Sequence, residues 1–168
     1  MNRVDELTTV AATVPQARRV LTDVSRFHDW VAPDITVTPL SGASTLDPGV
    51  RFRVEMVGAI SFEYHVEVVS DREVVFAFHG PWSGRERWSF VADGDETVVR
   101  RVYEFQDSSV LGELAWRSIG RPLVLAHFKL ELSRFRAAVE RDPGPRAEIE
   151  PPAGDAPPPA PSFPIDSG

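Results

Sequence analysis

The chain has 168 residues, with 18 Lys and Arg against 25 Asp and Glu, for a formal net charge of −7. Apolar residues make up 42% and charged residues 26%, the composition of a soluble globular domain long enough to bury a core. The absence of cysteine excludes disulfides, thiolate metal sites, Fe–S clusters and cysteine nucleophiles. No apolar run approaches membrane-spanning length, so no membrane insertion is expected. The acidic balance argues against nucleic acid as a partner. The N-terminal MNRVDELTTV has no apolar core of a signal peptide, which makes the cytoplasm the expected location.

In chain order, Val4–Ala11 is expected to be a first strand. Pro15 sits where a helix can begin, and Ala17, Val20, Leu21 and Val24 follow at helical spacing. A second short helix is expected over Arg26–Trp30, capped by Ser25 and ended by Pro33. From about residue 35 to 106 the period changes to two. Val50, Phe52, Val54 and Met56 alternate with polar residues. So do Phe62, Tyr64, Val66 and Val68, then Val74, Phe76 and Phe78, then Trp88 and Phe90, then Val99, Arg101, Tyr103 and Phe105. Short turns join these runs, so the sheet should be antiparallel, with one apolar and one wet face. A two-residue Gly94-Asp95 turn sets Trp88 opposite Arg101, Glu86 opposite Tyr103 and Phe90 opposite Val99, all on the apolar face.

Val110–Gly120 reads as a helical lead-in, with a break or kink expected at Pro122. The main helix is expected over about 121–141, where Leu125, Phe128, Leu132, Phe135 and Val139 form one apolar stripe. Leu123 and Leu130 lie on the other side of the wheel, so more than one element is expected to flank this helix. Residues 142–168 hold nine of the fifteen prolines, with five acidic residues against one basic. That composition predicts a disordered, PPII-rich acidic tail beyond a 1–141 domain, serving solubility or docking.

Arg101 falls on the apolar face of its strand. A guanidinium there must be paired or must serve a ligand. It either forms a structural ion pair with Glu86, or polarises a ketone or holds an enolate with Glu86 as base. Tyr64 and Tyr103 also point inward, as packed phenols or as donors to a substrate carbonyl. Trp30 and Trp88 are core or cavity wall, Trp82 lies at an entrance loop, and Trp116 lies on the lead-in helix. His28, His65, His79 and His127 lack metal-ligand spacing, and His65 and His79 fall on the outer face. His28, beside Trp30, is either at a cavity mouth or in a surface role. There is no GxGxxG, P-loop, GxSxG or HExxH, so nucleotide and serine-hydrolase chemistry are unsupported and no cofactor is expected.

One strand, two short helices, six strands and a long helix is the order of an α+β helix-grip fold. In it a curved seven-stranded antiparallel sheet wraps a long C-terminal helix. The stretch from Val20 to Trp30, Gly80-Pro81-Trp82, Arg87-Trp88-Ser89-Phe90, Glu96-Thr97-Val98-Val99 and Tyr103-Glu104-Phe105 carry a resemblance to the START-like, Bet v 1-like SRPBCC superfamily. Within it they are most similar to the polyketide cyclase/dehydrase-like branch. The resemblance implies a cavity between sheet and long helix. Trp30, Phe52, Phe78, Trp82, Trp88, Phe105 and Phe128 are then candidate substrate-binding residues, and Arg101, Glu86, Tyr64 and Tyr103 candidate catalytic ones. Some aromatase/cyclases of this type use an inward arginine on the strand that here reads Phe62 to Val68. The matching inward positions here are Val66 and Val68. Three functions are compatible with this: a cofactor-independent cyclase, aromatase or dehydratase on a polyketide-like or other apolar carbonyl compound; a carrier of a lipid or aromatic metabolite; or an interaction module with a filled core. The implied partners are an apolar or aromatic small molecule and a biosynthetic enzyme complex.

Overall fold

A computed structural model describes residues 2–56, 60–106 and 120–142. Strand β1 (Asn2–Val10) leads into α1 (Val14–Thr22), a 3₁₀ turn (Val24–Arg26) and α2 (Phe27–Trp30). Six strands follow: β2 (Ile35–Pro39), β3 (Arg51–Met56), β4 (Ile60–Val69), β5 (Glu73–His79), β6 (Ser83–Asp93) and β7 (Glu96–Gln106). The last described helix is α3 (Arg121–Glu140). The strands form a single antiparallel sheet in the order β1-β7-β6-β5-β4-β3-β2. This is the helix-grip fold. The expected lead-in helix and Trp116 lie outside the described residues, as does nearly all of the tail.

Local chemistry explains the element ends. Thr13 caps α1 with a reciprocal capping box to Gln16, and Pro15 occupies its first turn. Ser25, expected to cap the short helix, does not: α2 is preceded by Arg26 and has no side-chain cap, and the cap lies one turn earlier, at Asp23 before the 3₁₀ turn. The Asp23 carboxylate accepts from the Ser25 backbone N–H at 3.0 Å and from the Ser25 hydroxyl at 2.6 Å. The serine hydroxyl is thus spent as a donor to Asp23. Pro122 lies in the first turn of α3, so the described helix begins there and has no interior proline.

The register confirms the parity argument. Trp88 pairs with Arg101, Glu86 with Tyr103 and Phe90 with Val99 across β6 and β7. Gly94 makes the turn with φ +60°, a conformation glycine adopts without steric cost. One expectation on β4 fails. A register shift between Val66 and Val68 reverses the alternation, leaving Val68 38% exposed while Val69 packs inward. A bulge adds a residue that sequence alternation cannot reveal.

Helix α3 packs against β1, α1 and α2 as well as across the sheet. Its buried face is Phe128, Glu131, Leu132, Phe135, Ala138 and Val139. Leu123 and Leu130 do not face the flanking elements: they are 47% and 45% exposed. The flanking helix α2 meets α3 on its buried face instead, where Trp30 packs edge-on against Phe135. The C-terminal end of α3 is tied down twice. Glu140 accepts from the Ala11 amide at 3.2 Å, and the carboxylate of Asp142 pairs with both Arg19 and Arg26.

Candidate functional site

The concave face of the sheet, α2 and α3 enclose a cavity of about 410 Å³. Strand alternation brings the candidate residues to it. From β3 and β4 come Phe52 and Tyr64; from the β5–β6 loop, Trp82; from β6, Glu86 and Trp88; from β7, Arg101, Tyr103 and Phe105. Trp30 closes the α2 side, and Phe128 the α3 side. Phe78 is the exception. It is fully buried behind the wall, stacked between Tyr64 (5.3 Å) and Tyr103 (4.5 Å), and it positions the two phenols instead of meeting a ligand. His28 is 79% exposed beside Asp29 and is not part of the wall.

The wall is mostly apolar, with a charged cluster at Arg101 and His127 at its edge. The Arg101 Nε donates to Glu86 at 2.8 Å, and its Nη1 donates to Glu131. All three residues are at least 93% buried. The guanidinium lies 3.7 Å from the Phe128 ring centre and 4.8 Å from that of Trp88, so its faces are covered by aromatic rings. Burial alone would push the Arg101 pKa down, but the charges and hydrogen bonds of Glu86 and Glu131 carry it above its ordinary value. Arg101 is therefore permanently charged, as a guanidinium ordinarily is.

Glu86 also accepts from the Trp88 indole at 2.6 Å and the Tyr64 hydroxyl at 3.3 Å. The other Glu131 oxygen accepts from the Ala32 amide at 3.2 Å. Every partner of both carboxylates is a donor, which is the environment of an ionised carboxylate. Tyr103 accepts from the Trp82 indole at 2.9 Å. Burial pushes both phenols up in pKa, only partly opposed at Tyr103 by the Trp82 indole, so both hold their protons at neutral pH.

Glu131 and His127 were missed by sequence reading. The signal for Glu131 was present: it follows Phe128 by three residues, so a charge sits on the buried stripe. His127 lines the cavity edge and bridges two elements. Its Nε2 meets the Asp34 carboxylate at 2.9 Å and its Nδ1 meets the Leu123 carbonyl at 2.9 Å. Both partners are acceptors, and only the imidazolium donates from both nitrogens. Partial burial works against the charge, but the Asp34 and Leu123 hydrogen bonds raise the pKa overall. A folded pKa above the unfolded one stabilises most below the ordinary histidine range. That stabilisation should fade as pH rises through the His127 value. NMR titration should place His127 above ordinary histidine, and Asp34→Asn should bring it down. A titration at or below the ordinary value would remove the clasp.

Among the described residues no group of side chains has the makings of a metal site, and no helix is long and apolar enough to cross a membrane.

A curved sheet and long helix closed over an apolar cavity with a buried polar cluster define a helix-grip protein with a ligand-sized interior. The family model for polyketide cyclase / dehydrase and lipid transport matches residues 1–140, and the chain belongs to that family. No curated protein matches it. Among solved structures it is similar to TTHA0849 from Thermus thermophilus, at 13% identity and TM-score 0.69, covering 82% of this chain and 97% of that one. It is similar to the ZhuI aromatase/cyclase from a Streptomyces species, at 19% identity and TM-score 0.63, covering 83% and 94%. It is also similar to DynU16, a protein of the dynemicin biosynthetic locus, at 16% identity and TM-score 0.62. That match covers 84% of this chain and 48% of DynU16, so the chain spans about half of DynU16's length. At these identities the likeness is one of fold.

Proposed function

We propose that the chain is a cofactor-independent cyclase, aromatase or dehydratase acting on a polyketide-like or other apolar carbonyl compound held in the cavity. The observation that carries this reading is the Glu86–Arg101–Glu131 cluster set into a mostly apolar wall. Desolvating three charges is costly, and passive storage of an apolar ligand does not require it.

In this reading the cavity folds the substrate so that its reacting carbons meet. Arg101 donates two hydrogen bonds to the carboxylates, and its remaining N–H groups have no partner among the described residues. They bind the carbonyl oxygen and hold the negative charge it gains as the enolate forms. Glu131 accepts two protein hydrogen bonds against three for Glu86, so it has more free acceptor capacity. It takes the proton from the carbon next to the carbonyl. In a dehydration it returns that proton to the departing hydroxyl, which leaves as water. The neutral phenols of Tyr64 and Tyr103 orient the oxygen by hydrogen bonding. Work beside a biosynthetic enzyme complex belongs to this reading through the family resemblance alone.

A second reading, a carrier of a lipid or aromatic metabolite, is favoured by the cluster's internal pairing: each charge already has a protein partner. A filled core is not what the structure has, which weighs against a pure interaction module. The test uses 4-hydroxy-4-phenylbutan-2-one, a neutral aromatic β-hydroxyketone, with enone formation followed by absorbance and binding by calorimetry. Wild-type turnover that falls about 100-fold or more in Glu131→Gln with binding retained supports the enzyme. Binding with the ketone recovered unchanged supports the carrier and overturns the enzyme.

A further inference from the structure

The charges at the cavity do not balance. Glu86 and Glu131 each contribute one negative charge, and Arg101 contributes one positive. The other charged groups at the edge, His127 and Asp34, pair with each other and add nothing net. Among the described residues one negative charge therefore stands uncompensated in the wall, with Glu86 and Glu131 each 4% exposed. Around it, the Trp88 indole N–H and the Tyr64 hydroxyl donate to Glu86, and the face of Phe128 is covered by the Arg101 guanidinium.

We propose that the cavity selects its ligand by charge, admitting neutral and cationic carbonyl compounds and rejecting carboxylates, and that Glu131 sets this specificity. The inference rests on the cavity being a small-molecule site, as proposed above, and narrows its substrate class. Arg101 does not make the site an anion trap, because two carboxylates already hold it. A carboxylate entering beside it would add a second unbalanced negative charge next to deeply buried ones, where screening is weaker than at the surface. A neutral ketone places no net charge there. An amine or hydroxyl on the same molecule finds the spare lone pairs of Glu131, one of whose oxygens accepts only a backbone amide.

The test is a matched series on one aromatic skeleton: 2-naphthylmethanol, 2-naphthylmethylamine and 2-naphthoate, measured by calorimetry at pH 7 on the full chain. The alcohol and the amine should bind at least about tenfold more tightly than the carboxylate. The chain's overall charge of −7 also repels anions, but from the surface. The series is therefore repeated at 0.5 M salt, where a surface effect collapses and a buried one persists. Glu131→Gln should raise carboxylate affinity and narrow the gap, with Glu86→Gln as the second variant should the first not fold. Equal or tighter binding of 2-naphthoate, or a preference that vanishes with salt, overturns charge selection while leaving the cavity reading intact. Binding of none of the three overturns both.

Discussion

Arg101→Met should destabilise the protein by about 3–5 kcal/mol in urea unfolding, among the largest losses available to a single substitution. The reason is not the lost attraction alone. Glu86 and Glu131 are both 4% exposed and, among the described residues, share Arg101 as their one cation. Removing it leaves two carboxylates facing one space, supported among the described residues by the Trp88 indole, the Tyr64 hydroxyl and the Ala32 amide. Methionine fills much of the arginine's volume and can still pack against Phe128, so the loss reports charge and not a hole. A companion measurement separates these causes. The triple variant Glu86→Met, Arg101→Met, Glu131→Met should return to within about 2 kcal/mol of the parent, since a buried ion cluster is worth little against an apolar replacement. A single-variant loss below about 1 kcal/mol would mean that water in the cavity solvates the carboxylates, and the electrostatics proposed for the site would go with it.

That cluster also marks where sequence reading stopped. Arg101 was legible because strand parity is strict: with the turn fixed at Gly94-Asp95, every residue of β6 and β7 has an assigned face. The inward set Phe52, Tyr64, Trp88, Tyr103 and Phe105 follows from the same rule. Glu131 was not read, although it sits on the apolar stripe of α3. A helix face is broad and a glutamate is commonly assumed to be at its edge, whereas a strand leaves no intermediate direction. His127 and Asp34 are 93 residues apart in sequence and meet only in the folded chain, so no spacing could announce them. The misread residues have different causes. Val68 was turned outward by a bulge, and Phe78 was shielded by the tyrosines it stacks against. Parity gives a residue's face, but not its depth or a local slip.

Gly84→Ala should cost about 3 kcal/mol, at the upper end of overpacking losses, although it adds only one methyl group. Gly84 begins the deep part of β6 and pairs with Phe105 of β7. A Cβ built there would lie 2.0 Å from the Glu104 carbonyl oxygen and 2.7 Å from the Phe105 Cα. Both are backbone atoms and cannot swing aside like a flexible side chain. The glycine is therefore required for space, unlike Gly94, which is required for its positive φ. Relief must come from parting β6 and β7 at this pair. The same movement shifts Tyr103 and Phe105, which line the cavity, and lengthens the 2.9 Å bond from Trp82 to Tyr103. Ligand affinity should fall together with stability, whereas a purely local defect would change stability alone. Urea unfolding and calorimetry with 2-naphthylmethanol read the two effects separately. Wild-type stability in Gly84→Ala would show that the strands part at little cost and would remove the tight β6–β7 contact from the account of how the cavity wall is held.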